Sequence, residues 1–369
     1  MNTYKIVIKI GSSTLTGGTK KISMPQIMDL VSQISRLHAQ GHRIVLVSSG
    51  AVAAGREALN YPDLPGFIPV KQMLSAVGQP RLMAIYTQLF QIYTKTVAQV
   101  LLTRSDISHR QRYLNARNTL DALLMQGIIP IINENDTVAT DEIRVGDNDN
   151  LSAMVCNLIE ADLLILLTDQ QGLFTADPHQ DPNASLIPEI SEPVIPEWVW
   201  QAAGSAQSGI GTGGMVTKLQ AADLARRSGS KVVITNGSQP NVIEKVLSGD
   251  AIGTVFTPVV SNLESRKRFI LTGHKPSGSL YIDPGAARVM IHGTSSLLPV
   301  GVLRVEGQFD RGATVKVLDT NGKEIAIGIT SYDSESMQQL CGRHSNEIEA
   351  ILGYTYGNEV VHHDNMVLL

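Results

Sequence analysis

Residues 5–13 read KIVIKIGSS, a run of strand-forming residues that stops at a glycine and two serines. Similar apolar runs recur along the first two thirds of the chain, and they are rich in Val, Ile and Leu instead of alternating with polar residues. Such runs are typical of parallel strands that are covered on both faces. They lie at residues 5–10, 43–47, 97–102, 128–132, 163–167 and 231–235.

Helical patterns separate these predicted strands. Apolar residues recur every three or four positions between residues 27 and 37, with Pro25 just after Ser23 as a start signal and Gly41 as a stop. The same spacing returns between residues 151 and 159. This alternation, which continues to about residue 256, predicts an α/β fold in which an open, mostly parallel sheet is sandwiched by helices.

The chain changes character after a stretch rich in glycine, proline and serine, TGHKPSGS at residues 272–279. Short runs typical of strands follow: SLYI, ARVMI, VLRVEG, TVKVLD and EIAIGI. Asn321 and Gly322 join the last two runs, and we predict a type I′ hairpin there. We therefore expect a larger domain at residues 1–262, a linker at 263–274 and a second, small β-rich domain at 275–369.

The composition excludes several classes of protein. Of 369 residues, 43% are hydrophobic and 17% are charged, and no apolar run approaches 18 residues, so neither a membrane-spanning helix nor wholesale disorder is expected. The first residues lack the pattern of a signal peptide. Two cysteines far apart, Cys156 and Cys341, offer no disulfide framework and suit a reducing cytoplasm. We expect a cytoplasmic protein.

Ligands of parallel α/β sheets bind at the carboxyl ends of the strands, so the residues that follow each strand are candidates for a site. Lys9 lies at the end of the first strand, before a loop of small residues. Ser49 and Gly50 follow the second strand at the start of a predicted helix, where backbone N–H groups attract anions. An ordinary strand-end lysine and a simple helix cap explain these two features equally well.

Two polar clusters follow the fourth strand, NEND at residues 133–136 and GDNDN at residues 146–150. Turn and cap chemistry would explain one such cluster. Two clusters after one strand favour a site for a small zwitterion, or a group that organises other charges. Their spacing does not fit the calcium loop of an EF-hand.

Two later segments suit a nucleotide. The fifth strand leads to Thr168 and Asp169 and a loop suited to close over a ligand, although a glycine turn explains it as well. Residues 208–218 read SGIGTGGMVTK before a predicted helix, and such glycines free the backbone to surround phosphates. The segment contains G-x-G-x-x-G, but no strand precedes it and no acidic residue follows at the position that contacts a ribose. It also lacks the G-K-[ST] ending of a P-loop, so we predict a phosphate loop of another kind.

Taken together and in this order, the motifs resemble the amino acid kinase family. The match continues into the tail, where residues 309–332 and 344–357 resemble a PUA domain. The resemblance implies the amino acid kinase fold followed by a PUA-like domain. The motifs that carry it are IVIKIGSS (6–13), VSSGAVAAGRE (47–57), PIINENDTVAT (130–140), VGDNDNLSA (145–153), LLTDQQGLFTADP (166–178) and GTGGMVTKLQAA (211–222).

Within this family, the chain is most similar to the members that phosphorylate free L-glutamate. The resemblance implies ATP-dependent phosphorylation of the side-chain carboxylate to L-glutamyl 5-phosphate, the first step of proline biosynthesis. That carboxylate has an ordinary pKa of about 4.3 and needs no general base at neutral pH. The reaction needs positioning and neutralisation of charge on the transferring group. Lys9 and Lys218 match the family's phosphate-contacting lysines, and Asp149 matches the aspartate that holds them.

The resemblance also implies the ligand contacts. Ser49, Asp136 and Asn148 match the residues that contact the substrate, with Asp136 as the predicted partner of the α-ammonium group. ATP implies Mg²⁺, which phosphates and water usually hold, so we name no protein ligand for it. The predicted ATP contacts are Lys9, Thr168, Asp169, Thr212, Gly213, Gly214, Met215, Val216, Thr217 and Lys218.

The family resemblance implies further partners. We expect L-glutamate as substrate, feedback inhibition by proline, a homo-oligomer formed through the kinase domain, and contact with the next enzyme of the pathway. Residues 137–145, between the two polar clusters, are the predicted proline-responsive loop, although a passive surface connection explains them equally well.

Two alternatives remain at this point. A related kinase acting on acetylglutamate, aspartate, carbamate or a uridine nucleotide would share the lysines and glycines, but Ser49, Asp136, Asn148 and the tail favour free glutamate. An RNA-binding factor acting through the PUA-like tail is the alternative from a different class. Residues 275–369 hold 7 Lys and Arg against 11 Asp and Glu, and aromatic residues make up 5% of the chain, so an RNA partner is not expected.

Overall fold

The computed structural model describes residues 3–139, 147–178, 180–205, 214–260, 276–292 and 295–369. The chain divides into two compact units. The first comprises Met1–Ser108 and Asn115–Asn262, and the second comprises His109–Leu114 and Leu263–Leu369. Within the described residues, no helix combines the length and the apolar character needed to cross a membrane.

Strands and helices alternate up to residue 256, as the sequence predicts. The strands are β1 (Lys5–Ile10), β2 (Arg43–Ser48), β3 (Val97–Leu102), β4 (Ile129–Glu134), β5 (Leu163–Thr168), β6 (Glu189–Ile190), β7 (Lys231–Asn236) and β8 (Thr254–Phe256). The helices are α1 (Ser12–Thr16), α2 (Met24–Ala39), α3 (Ala51–Ala58), α4 (Ile68–Ile92), α5 (Arg104–Ser108), α6 (Arg110–Met125), α7 (Asp147–Ile159), α8 (Glu197–Ser205), α9 (Met215–Arg227) and α10 (Val242–Ser248).

These strands form one sheet in the order β3-β4-β2-β1-β5-β7-β8-β6. Among the strands that the structure describes, only β7 and β8 pair antiparallel, so the predicted open, mostly parallel sheet is confirmed. The central strand β1 is buried along its length apart from Lys5 at its start, because helices cover both faces. On one face of the sheet, Ile6, Ile8 and Ile10 of β1 pack with apolar side chains of α2 and α4 in a buried core.

Several strands run one or two residues past their predicted ends into polar residues. Ser48, Glu134, Thr168 and Asn236 each end a strand, and three register pairs include them: Ile10 with Ser48, Leu102 with Glu134, and Thr168 with Asn236. The reason is that parallel pairing with a neighbour continues where the apolar run stops. The polar side chains are therefore fixed at the carboxyl edge of the sheet by the ladder itself.

Helices α3 and α4 cross at very short distance because each has a glycine at the crossing. A Cβ on Gly55 would lie 2.0 Å from the carbonyl oxygen of Leu74, and a Cβ on Gly78 would lie 1.8 Å from that of Ala51. No larger residue fits either position without moving the backbone. The glycine pair thus fixes the position of α4 relative to the end of β2.

The second unit has its own sheet and core. Among the described residues beyond 262, its strands and α-helices are β9 (Gly278–Ile282), α11 (Pro284–His292), β10 (Val302–Glu306), β11 (Thr314–Leu318), β12 (Glu324–Ile329), α12 (Ser334–Leu340), α13 (Ile348–Leu352) and β13 (Met366–Leu368). The described strands form a sheet in the order β10-β9-β11-β12-β13, in which β9 and β11 are parallel and the other pairs antiparallel. The predicted β-rich domain is present, and residues 261–275, which include the predicted linker at 263–274, lie outside the described residues.

One strand prediction in this unit is wrong, because ARVMI belongs to helix α11. Asp283 accepts a hydrogen bond from the backbone N–H of Ala286, and Pro284 begins the helix, where its missing N–H costs nothing. Ala287 and Met290, three residues apart, are buried, while Val289 is exposed. The apolar run therefore has the period of a helix that is buried on one side only.

The turn between β11 and β12 also differs from its prediction. A type I′ turn requires positive φ at both central residues, but only Gly322 of the predicted pair has it, at +81°. Gly322 donates its N–H to the carbonyl of Asp319, and the side chain of Asp319 accepts from the N–H groups of Asn321 and Lys323. A register shift between Val317 and Leu318 accompanies this turn, which is the arrangement of a hairpin with a glycine bulge.

Candidate active site

Three charged side chains meet at the carboxyl edge of the large sheet. The Nζ of Lys9, on β1, lies 2.6 Å from Oδ1 of Asp149 on α7, and the Nζ of Lys218, on α9, lies 3.4 Å from Oδ2. Their side chains are 6%, 1% and 9% exposed for Lys9, Asp149 and Lys218. The structure therefore brings together the three predicted catalytic residues, with one carboxylate between two ammonium groups.

Thr217 contributes a further bond to this cluster. Its hydroxyl lies 2.7 Å from Oδ2 of Asp149 and 2.8 Å from the carbonyl oxygen of Gly214. The sequence predicts Thr217 only as a nucleotide contact. In the structure its side chain also positions the aspartate that holds both lysines.

The pKa shifts show how burial and charge compete in this cluster. Burial by itself raises the pKa of Asp149, but the charges of Lys9 and Lys218, with hydrogen bonds from Lys9 and Thr217, lower it to about 2. Burial also lowers the pKa of Lys218, and the nearby Asp149 offsets only part of that effect. With both lysines protonated the trio carries one net positive charge, which suits an anionic ligand.

The start of α9 lies beside these charges. Gly214 precedes the helix, no side chain caps it, and Met215, Val216, Thr217 and Lys218 form its first turn. The first N–H groups of a helix have no acceptor within the helix and attract phosphate groups. The described part of the predicted phosphate loop is thus placed to bind an anion, while Thr212 and Gly213 lie outside the described residues.

Thr168 and Asp169 lie at the end of β5, as the sequence predicts. The hydroxyl of Thr168 donates to Oδ1 of Asp169 at 3.0 Å, and the side-chain amide of Asn236 donates to the Asp169 carbonyl at 3.2 Å. Thr168 is buried and Asp169 is exposed. The sequence analysis did not predict this contact of Asn236, and its signal is a polar side chain at the end of an apolar strand.

A chain of amide side chains connects two of the predicted substrate residues. Nδ2 of Asn148 donates to the hydroxyl of Ser49 at 3.0 Å and to Oδ1 of Asn133 at 2.9 Å. Nδ2 of Asn133 in turn donates to Oε1 of Gln79 at 2.8 Å. The ends of β2 and β4, the start of α7 and the middle of α4 are therefore joined by one hydrogen-bonded network.

Asp136, the third predicted substrate residue, lies in the turn after β4. It is half-buried, and its Oδ2 accepts a hydrogen bond from the hydroxyl of Ser75 at 2.6 Å. Ser75 is buried on α4, one helical turn before Gln79. The structure thus places Asp136 against α4, while Ser49 and Asn148 contact each other directly.

Sequence reasoning missed the contribution of α4, and it placed Asn133 in a polar cluster at the site without giving it a role of its own. The signal was available: Ser75 and Gln79 are polar residues spaced four apart in a stripe that continues with Leu82, Tyr86 and Leu89. A polar residue at a buried position costs free energy unless it has a hydrogen-bond partner. Such a position therefore indicates a partner elsewhere in the fold.

The predicted proline-responsive loop lies mostly outside the described residues. Of residues 137–145, only Thr137, Val138 and Ala139 are described, and the hydroxyl of Thr137 donates to Oδ1 of Asn135 at 2.6 Å. The regulatory role of this segment stays a prediction.

The donor set of the site fits phosphate groups better than it fits a bare metal ion. Among the described residues, no group of three or more His, Cys, Asp or Glu side chains is arranged to hold a metal. The buried carboxylate of Asp149 already faces two ammonium groups. Buried cations and a helix N-terminus are the groups that bind phosphates.

Fold and site together define an α/β protein with buried ammonium groups and a helix N-terminus, an arrangement suited to phosphate groups, at the carboxyl edge of its sheet. Residues 5–236 match the sequence profile of the Amino acid kinase family, and residues 278–352 match that of the PUA domain. The chain belongs to the amino acid kinase family and carries a PUA domain in its C-terminal part. Both predictions from the sequence are confirmed.

Relatives over nearly the whole chain carry one enzyme name, Glutamate 5-kinase. The relative from Sodalis glossinidius is 52% identical over 363 residues, which cover 98% of each chain. The relative from Shewanella oneidensis is 52% identical over 99% of this chain and 98% of its own, and that from Deinococcus radiodurans is 51% identical over 99% and 100%. A solved structure of UMP kinase from Bacillus anthracis covers 70% of this chain and 98% of its own, with 14% identity and a TM-score of 0.48.

Proposed function

We propose that this chain transfers the γ-phosphoryl group of ATP to the side-chain carboxylate of L-glutamate. The products are ADP and L-glutamyl 5-phosphate, and the reaction is the first step of proline biosynthesis. Relatives named Glutamate 5-kinase, 51–52% identical over nearly the whole chain, support the substrate and the reaction. The observation that carries the chemistry is the buried Lys9–Asp149–Lys218 cluster.

The reaction forms a bond between a carboxylate oxygen of glutamate and the γ-phosphorus, while the bond from that phosphorus to the bridging oxygen of ADP breaks. Because the nucleophile is already ionised, the protein has to position the reactants and offset negative charge. Lys9 and Lys218 stabilise the transferring group from two sides. Asp149 holds both ammonium groups in place before the substrate binds, so little reorganisation is needed in the transition state.

The nucleotide binds at the start of α9. In this proposal its phosphates contact the N–H groups and side chains of residues 214–218, and Thr168 and Asp169 contact the rest of the nucleotide. Thr212 and Gly213 complete the set. Mg²⁺ arrives as part of the substrate, held by the phosphates of ATP and by water, and we assign it no protein ligand.

Glutamate binds beside the end of β2. Asp136 pairs with the α-ammonium group, which needs an anionic acceptor. Ser49 and Asn148 supply hydroxyl and amide groups to the carboxylates. Ser49 and Asn148 are in contact in the structure, which supports a shared role.

The test is ATP consumption with glutamate, N-acetylglutamate, aspartate and carbamate as parallel substrates, with hydroxylamine to trap an acyl phosphate. We expect a hydroxamate only with glutamate. Folded protein that forms no glutamate-dependent hydroxamate would refute the proposed reaction. Trapping with one of the other acids instead would assign the chain to a different substrate of the same family.

The setting of the reaction is also a proposal, which rests on the resemblance to the family. We place the enzyme in the cytoplasm, which suits its two free cysteines. We propose a homo-oligomer, inhibition by proline and contact with the next enzyme of the pathway. We also keep the domain division at residues 1–262, 263–274 and 275–369. Sedimentation velocity tests the homo-oligomer, and a proline titration of the glutamate-dependent rate tests the inhibition.

A further inference from the structure

The buried face of helix α4 includes polar side chains in one half of the helix. Its C-terminal half buries Leu82, Tyr86, Leu89 and Phe90 in the core, whereas its N-terminal half buries the polar Ser75 and Gln79 together with Leu74 and Gly78. Apolar side chains would serve packing equally well there. Both polar side chains instead bond to residues at the carboxyl edge of the sheet.

Each of these bonds leads to a residue assigned to glutamate. Ser75 donates directly to Asp136 at 2.6 Å. Gln79 accepts from Asn133, which accepts from Asn148, which donates to Ser49. The two routes leave α4 one helical turn apart and end on different substrate residues.

The backbone of α4 is held firmly enough to act as a reference for these contacts. Gly55 and Gly78 allow the close crossing with α3, the helix that begins two residues after Ser49. Further along α4, the hydroxyl of Tyr86 lies 2.8 Å from that of Ser48, which also donates to the carbonyl of Ser49. A shift of α4 would therefore move several substrate contacts together.

We propose that Ser75 and Gln79 are positioning residues through which α4 orients the glutamate site. Ser75 aims the carboxylate of Asp136 at the α-ammonium group, and Gln79 fixes the amides of Asn133 and Asn148 for the carboxylates. The proposal rests on the proposed glutamate kinase activity. Neither residue touches the reacting atoms, so both act on substrate affinity more than on turnover.

The first variant is Ser75→Ala. It should raise KM for glutamate about 10-fold, the worth of one hydrogen bond to a charged group, while kcat and KM for ATP stay within about twofold. Glutarate, which lacks the α-ammonium group, serves as a competitive inhibitor. Its Ki should stay within about twofold, because Asp136 has no partner on that ligand.

The matched control is Ser35→Ala. Ser35 is a buried serine of α2, and its hydroxyl has no hydrogen-bond partner among the described residues. All kinetic constants and the melting temperature of this variant should stay close to those of the wild type.

The second test variant, Gln79→Met, keeps the length of the side chain and removes its acceptor. It should raise KM for glutamate and Ki for glutarate by similar factors, since both ligands have the carboxylates.

A double-mutant cycle gives a readout that does not depend on how well Ser75→Ala folds. If Ser75 acts through Asp136, adding Ser75→Ala to Asp136→Asn should change KM for glutamate by less than about twofold. Additive effects would overturn the proposal. So would an unchanged KM in Ser75→Ala, or a parallel rise of KM for glutamate, Ki for glutarate and KM for ATP. Wild-type protein without a glutamate-dependent hydroxamate would instead refute the underlying activity, and that assay precedes the variants.

Discussion

At the scale of single residues, the environment of Asp149 determines the charge of the site. Its carboxylate is almost fully buried and stays ionised because Lys9 and Lys218 flank it. An isolated buried carboxylate would become neutral. Each lysine is in turn tolerated in the interior because the shared aspartate compensates its charge. The three side chains are therefore interdependent, and each gives a measurable prediction.

Replacing either lysine with methionine should lower kcat by about 100 to 1,000-fold, because a preorganised charge on the transferring phosphoryl group is lost. KM for glutamate should change far less. Lys71→Met, at an exposed position of α4, is the control and should leave kcat unchanged. Steady-state kinetics with both substrates varied provides the measurement. A kcat close to that of the wild type in Lys9→Met or Lys218→Met would rule out the assigned role of that lysine.

Asp149→Asn should destabilise the fold in a manner that depends on pH. The pKa of Asp149 is about 2 in the folded state against an ordinary 3.8, so ionisation contributes on the order of 2 kcal/mol above pH 3.8. That contribution is lost as the pH falls from 3.8 towards 2. Urea unfolding should show that the free energy of unfolding of Asp149→Asn is about 3 kcal/mol lower than that of the wild type at pH 7. This difference should become smaller as the pH falls from 3.8 towards 2.

Asp223→Asn is the control for this pH dependence. Asp223 is half-buried on α9 and pairs with the exposed Arg227, and a pair that is open to solvent on one side contributes less than about 1 kcal/mol. The free energy of unfolding of Asp223→Asn should be slightly lower than that of the wild type at every pH. If the difference in free energy of unfolding between Asp149→Asn and the wild type stayed constant between pH 4 and pH 2.5, this result would contradict the assigned ionised state of Asp149.

At the scale of secondary-structure elements, the crossing of α3 and α4 links packing to the substrate site. Gly78→Ala places a Cβ 1.8 Å from the Ala51 carbonyl oxygen, so the helices must separate. We expect a loss of about 3 kcal/mol in the free energy of unfolding and a raised KM for glutamate. Gly204, in helix α8, has no atom within 4 Å of a built Cβ, and Gly204→Ala should stabilise by about 0.5 to 1 kcal/mol. Urea unfolding measures the free energy of unfolding of both variants. If Gly78→Ala and Gly204→Ala changed it by the same amount, the steric argument would be refuted.

At the scale of the whole molecule, the division into two compact units, each with buried apolar residues of its own, predicts two unfolding events. The first unit is built around the core of β1, α2 and α4, and the second around Leu280, Val317 and Tyr332 among others. Differential scanning calorimetry of the full chain should show two transitions. A non-hydrolysable ATP analogue should raise only the one that belongs to the first unit, since a ligand stabilises the fold that binds it. A single transition that shifts as a whole would show that the units unfold as one.

The charge of the two units gives a further prediction. Residues 1–274 hold 23 Lys and Arg against 23 Asp and Glu, and residues 275–369 have the acidic excess already described. Phosphate-driven RNA binding needs a surplus of positive charge and weakens steeply with salt. Filter binding of the full chain to RNA should therefore show no salt-dependent affinity. Binding that falls steeply between low and high salt would restore the RNA-binding alternative for the PUA domain.

Much of the fold and the family followed from local sequence. Strands β1, β2, β4, β5 and β7 were predictable because strands covered on both faces leave continuous apolar runs. Local pattern was insufficient in two places. The mostly apolar run ARVMI is a helix that is buried on one side only, with Val289 exposed. Asn321 and Gly322 form a different turn from the predicted one because the side chain of Asp319 bonds to the backbone there. For the site, the family resemblance predicted Lys9, Asp149 and Lys218 as a set in which Asp149 holds both lysines, but it did not predict the contacts of Thr217 and Ser75.

The sequence by itself therefore determined the sheet, the family and the residue types of the site, since each of these depends on neighbours along the chain. Tertiary structure alone decided that Thr217 supports Asp149, that Gln79 reaches Asn133, and that Ser75 reaches Asp136 across 61 residues of sequence. The physical reason is that hydrogen bonds and ion pairs of this kind depend on distances set by helix packing. The close crossing at Gly55 and Gly78 places α4 within reach of the site, and no local pattern in the sequence specifies that distance.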